Sequence, residues 1–190
     1  MKSEVAMMGV VVAGLGIEPA IADDAPAVAR IALRAGVESS STVTLTADPG
    51  RREGALLVAL DADTFYEPFV FGGSVGAAGA PSSYGALRAS VHAGLHAPTT
   101  SVRATAIVDL GLQWLEHICP LFHDQPCGSA TLPFTELRGE LGTAGKHVEL
   151  AIWGAIRVDL GRDHVTSGNE YDIGGVTFGG GLTLAYVSRR

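Results

Sequence analysis

Apolar and polar residues alternate along most of this chain, and the apolar set carries no charge. Between Val102 and Trp114, the residues Val102, Ala104, Ala106, Val108, Leu110, Leu112 and Trp114 share one face, while Arg103, Thr105, Asp109 and Gln113 share the other. A period of two over 13 residues predicts a β-strand with one face against an apolar medium. The same pattern predicts a first strand over Ala27 to Val37, a second over Ala55 to Tyr66, and two more over Phe69 to Ala78 and Tyr84 to Ala97. Three further strands are expected over Leu132 to Thr143, Val148 to Gly161 and Val176 to Val187. The sum is an all-β chain of eight antiparallel strands in up-and-down (meander) order, which closes most simply as a barrel.

The connections are uneven. Glu67-Pro68, Pro98-Thr99-Thr100 and Ala144-Gly145-Lys146 are tight, whereas Glu38–Glu53, Glu116–Ala130 and Arg162–Asp172 are long and polar. Short turns at one end and long loops at the other suit a transmembrane barrel, the short third connection (Gly79 to Ser83) being a departure. Alternation in Thr42 to Thr46 is expected to extend the flanking strands above a membrane.

Alternation alone does not say which face is the lumen. A soluble lipocalin-like barrel places the apolar set inside, where it binds a small apolar ligand, and a membrane barrel inverts this. The composition of the polar face favours the inverted form. It carries Arg30, Arg34, Arg88, Arg103, Arg138 and Arg157 against Asp61, Asp63, Asp109, Glu136, Glu140, Glu149 and Asp159, a near balance suited to pairing in a confined space. Every one of those cations is Arg, whose planar guanidinium suits paired sites away from bulk water. Their neighbours are mostly Gly, Ala, Ser and Thr, as a narrow lumen requires, and Tyr66, Trp114 and Tyr186 fall at strand ends of the apolar face, where interfacial aromatics belong.

The first 22 residues read as a signal peptide, leaving 23–190 as the barrel domain. Lys2 precedes the uncharged run Val5 to Ile17, Glu18-Pro19 breaks it, and Ala20-Ile21-Ala22 offers a cleavage site. Thirteen residues are too few for a membrane helix, which needs about 20. The other reading of this run is a buried helix or strand that opens a cytosolic domain. With a net charge of −7 the chain offers no phosphate-binding surface, and nucleic acid is excluded as a partner.

On these patterns residues 27–187 resemble the small eight-stranded outer-membrane β-barrel family, the type typified by the OmpA transmembrane domain and OmpX. The resemblance implies an exported, Gram-negative-type outer-membrane protein, surrounded by outer-membrane lipid and delivered by the insertion machinery. It also implies a plugged, ion-paired interior and loops turned to the exterior. Members usually finish on an aromatic residue, whereas here Tyr186 precedes the end Val187-Ser188-Arg189-Arg190.

Chemistry is sparse. Cys119 and Cys127 are expected to form a loop disulfide, worth roughly 2–3 kcal/mol, although His117, His123 and Asp124 nearby leave a metal site or free thiols open. Some small barrels act on lipopolysaccharide acyl chains, for which Ser90, His92 and His96 are the candidates here, yet no His-x-Ser motif accompanies them. The plainer expectation is that His92 and His96 join the interior polar network. Gly174-Gly175 and Gly179-Gly180-Gly181 precede no helix, so close packing and barrel bending are expected instead of a phosphate loop. No catalytic residue, cofactor or metal is predicted, and the expected role is envelope integrity, adhesion or partner contact.

Overall fold

The computed structural model describes residues 28–40, 43–45, 53–80, 84–98, 102–118, 128–143, 147–166 and 170–189. Strands β1 (Val28–Ser40), β3 (Glu53–Tyr66), β4 (Phe69–Ala80), β5 (Tyr84–Pro98), β6 (Val102–Ile118), β7 (Gly128–Thr143), β8 (Val148–Asp159) and β11 (Val176–Arg189) close a barrel in which every neighbour is antiparallel. β2 (Val43–Leu45), β9 (Asp163–Thr166) and β10 (Glu170–Ile173) form a separate sheet in the order β2-β10-β9. β2 falls within the Thr42 to Thr46 alternation, but it pairs in a separate sheet and does not extend a barrel strand, and β9 and β10 correct the expectation that 162–172 is a loop. The two segments pair with each other, Tyr171 of β10 lying opposite Leu45 of β2 and Ile173 opposite Val43.

Register fixes the tilt of the barrel. One row of partners runs Leu150, Leu184, Leu33, Leu60, Val75, Ala89, Leu112, Pro133. It returns just past the end of β8 at Leu160, whose N–H donates to the Pro133 carbonyl at 2.8 Å, ten residues beyond its start at Leu150. At ~3.3 Å per residue and ~4.8 Å between strands, that stagger inclines the strands by about 40°. A strand of 12 residues, such as β4 or β8, then rises about 30 Å, enough to cross an apolar band of ~25 Å.

The wall is inverted relative to a soluble barrel. Leu33, Leu60, Leu110, Ile152 and Leu184 are each about half exposed on the outside, while Arg30, Asp61, Arg138 and Arg157 are at most 1% exposed. The arrangement is that of a transmembrane β-barrel and overturns the lipocalin-like orientation. Trp114 stands outward near the loop end, while Phe69 and Tyr186 stand outward near the turn end, with His147 stacked on Tyr186 at 6.4 Å. Among the described residues, the exposed charged side chains of Glu67, Glu116, Arg162 and Asp163 sit at turns or strand ends. The signal-peptide reading of 1–22 and the Cys119–Cys127 reading both fall outside the described residues.

Candidate functional site: a charged lumen between apolar seals

Alternation sends every second side chain of eight strands into a cylinder just wide enough for side chains to fill. Three tiers result. At the loop end, Leu57, Tyr84, Leu115, Leu132, Trp153 and Ile173 form an apolar cluster. At the turn end, Phe65, Val70 and Ile107 form a smaller one, against which Val28 packs. The charges lie between.

All thirteen residues expected in the ion-pair network lie in the lumen. In the lowest layer Arg30 bonds Asp63 at 2.7 Å and Glu140 at 2.8 Å, and approaches Glu149 at 3.6 Å. Arg103 pairs with the same Glu149. In the middle layer Arg34 bonds Glu136 at 3.1 Å and Asp61 at 3.3 Å. Arg138 joins three carboxylates there, Asp61 at 3.0 Å, Glu140 at 3.2 Å and Asp109 at 3.5 Å. Toward the loop end, Arg157 approaches Asp159 at 3.7 Å. Asp159 also accepts from Gln113 Nε2 at 2.6 Å and from the Gly175 N–H at 3.0 Å, anchoring the turn at Gly174, where φ is +113°.

Glu38 is a correction. Expected in a loop, it points into the lumen from β1 and accepts both arms of the Arg88 guanidinium, at 2.7 and 2.9 Å, and Arg157 at 3.3 Å. His92 lies between Asp63 and Asp109, while His96 stacks edge-on against Phe65 at 4.8 Å. Guanidinium groups also cover the rings at the tier boundaries: Arg34 lies 5.1 Å from Trp153, Arg103 5.4 Å from Phe65 and Arg157 5.7 Å from Phe134.

Glycine creates the room. A Cβ at Gly36 would come within 2.6 Å of the Trp153 ring, and one at Gly111 within 2.7 Å of the Phe134 ring. Beside Arg34, Arg88, Ser90 and Asp109 lies a cavity of about 20 Å³, large enough for a single water. The geometry does not assemble the acyl-transfer chemistry considered for Ser90 and His92. Ser90 Oγ donates to Asp109 at 3.0 Å, and both His92 ring nitrogens contact carboxylates, so no imidazole addresses the hydroxyl.

No family model and no curated protein matches the chain. Among solved structures, Neisserial surface protein A (NspA) superposes with a TM-score of 0.59 at 9% identity, covering 86% of this chain and 97% of that one. Ail, the attachment invasion locus protein of Yersinia pestis, solved with the heparin analogue sucrose octasulfate, gives 0.49 at 12% identity, covering 86% of this chain and all of that one. The chain has the fold of the small eight-stranded outer-membrane β-barrels.

Proposed function

We propose that this chain is a non-enzymatic integral protein of the outer membrane, with a closed, ion-paired interior, that presents its loop end to the exterior. The observation carrying this reading is the inverted wall: aliphatic side chains outward, paired guanidinium and carboxylate groups inward. Aliphatic surface of this extent demands lipid, and charges buried at this density demand one another. Outer-membrane lipid is then the permanent partner of the wall, and the barrel-insertion machinery delivers a chain exported by residues 1–22. The two apolar clusters that bracket the charges support a plug in preference to a pore. A lumen whose free space beside Arg34 is about 20 Å³ has no room there for an apolar ligand, which weighs against the secreted-binder reading.

The small sheet β2-β10-β9 supports a role in adhesion, partner contact or envelope integrity. It sits at the end carrying the long connections and is tied to the barrel mouth through Ile173, which is fully buried. No cofactor is proposed, and a Cys119–Cys127 disulfide is the proposed state of the thiols. Fractionation tests the assignment: the mature chain is expected in the outer-membrane fraction, extractable only with detergent and faster on a gel before boiling than after. Recovery from the soluble periplasm or the medium would overturn it. For the thiols, alkylation of the unfolded, unreduced chain should label neither cysteine.

A further inference from the structure

His92 belongs to a single row of partners that crosses four strands as Asp63, Gly72, His92 and Asp109. Gly72 removes the side chain that would otherwise stand between the ring and Asp63. A Cβ there would lie 2.5 Å from His92 Nε2 and 2.9 Å from Asp63 Oδ1. Through that gap Nε2 comes within 2.7 Å of Asp63 Oδ1, and Nδ1 lies 3.2 Å from Asp109 Oδ1. A neutral imidazole has one N–H and one lone pair, so between two carboxylates it turns a lone pair toward an anion. An imidazolium donates on both sides. The ring is fully enclosed, with no bulk water to soften the mismatch.

Charge balance points the same way. Among the described residues the lumen holds the six arginines against eight carboxylates, Glu38 joining the seven already named. In the middle layer, Arg34 and Arg138 face Asp61, Asp109 and Glu136. Arg138 also meets Glu140, which it shares with Arg30, so one further cation reduces the excess of negative charge in that layer. The groups around the ring come from every strand packed on it. Asp61 and Asp63 lie on β3, Asp109 lies on β6, Arg138 of β7 reaches Asp109 and Asp61, and Arg30 of β1 reaches Asp63. β4 contributes Gly72 and Ser74, neither charged, and β5 contributes Ser90, which bonds Asp109.

We propose that His92 carries both ring protons in the closed barrel and is the seventh lumenal cation, an imidazolium strut that ties β3 to β6 across the gap at Gly72. Removing a proton turns the strut into a repulsive contact with one of its carboxylates, so the lumen contains a proton-sensitive latch.

The direct test needs no variant. With the full chain, 15N-labelled at histidine and inserted in phospholipid bilayers at neutral pH, both His92 ring nitrogens are expected to carry protons. A ring with one bare nitrogen, the proton having gone to Asp63 or Asp109, overturns the proposal. As the pH is raised, the temperature at which the fast-migrating folded form is lost should fall over the same interval in which the second N–H signal disappears. A flat profile through that interval overturns the latch. For the variants, H92Q should lower that temperature, and adding D109N should restore part of the loss, because fewer anions then need a cation. Equal stability of H92Q and the parent, or strictly additive losses in the double variant, would also count against it.

Discussion

Arg138 carries the heaviest electrostatic load in the lumen, and replacing it by Met measures whether these pairs are dry. Met preserves most of the aliphatic stem, so the change deletes charge more than volume. The guanidinium is 0% exposed and touches Asp61 at 3.0 Å, Glu140 at 3.2 Å and Asp109 at 3.5 Å. Each carboxylate keeps another partner, Arg34, Arg30 and His92 respectively, but each loses a share of its compensation. Removing one partner of a buried ion pair costs about 3–5 kcal/mol, whereas an exposed pair is worth ~0–1 kcal/mol. With a urea dependence of ~2 kcal/mol per molar, the buried case moves the unfolding midpoint down by about 1.5–2.5 M. The assay is urea unfolding of the full chain in phospholipid vesicles, followed by loss of the fast-migrating form and by fluorescence of Trp153, buried inside the barrel. Arg138→Met combined with Asp61→Asn should recover a sizeable part of the loss, since the two residues share one contact network. A midpoint shift below ~0.5 M for Arg138→Met would mean that water screens the lumen, and the reasoning from dry ion pairs would fail.

Three other outcomes follow from the same geometry. Leu60 lies outward at mid-strand on β3, so Leu60→Arg should cost about 2–4 kcal/mol in bilayers, against ~0–1 kcal/mol for Leu56→Arg nearer the loop end; equal costs at both depths would contradict a membrane belt. Gly72 and Gly139 should respond oppositely to Ala: a Cβ at Gly72 meets the Ala62 carbonyl and the His92 ring, whereas one at Gly139 meets nothing within 4 Å. Unfolding measurements should therefore show more than ~1 kcal/mol lost for Gly72→Ala and a change within ~0.5 kcal/mol for Gly139→Ala. Ile173→Ala should release the small sheet from the mouth, read as faster proteolytic nicking within β9 and β10 with a folded barrel left behind, since deleting a buried Ile costs about 2–5 kcal/mol.

How much of this was legible in the chain depended on whether one residue sees two different media. Within the bilayer each strand separates lipid from paired charge, and so β6 alternates over its whole crossing. Above the lipid, the outward positions no longer need to be apolar. Ser39 is outward and exposed, with Ser40 and Ser41 after it, and the pattern therefore fades although β1 continues to Ser40. That fading hid Glu38, which still points into the lumen. The alternation of Thr42 to Thr46 was readable, but its pairing with β10 was not, because two short segments far apart in sequence announce no partner. Face was readable, but height was not. Periodicity says that Arg34 and Glu136 point inward, yet only the ten-residue stagger of the closed barrel brings them to one level across the lumen, 102 residues apart in sequence. The same stagger aligns Asp63, Gly72, His92 and Asp109. A histidine that looked like one more polar lining residue becomes, once the row is closed, a ring held between two anions. Local pattern thus specifies which residues must be neutralised, and global closure specifies by which partner.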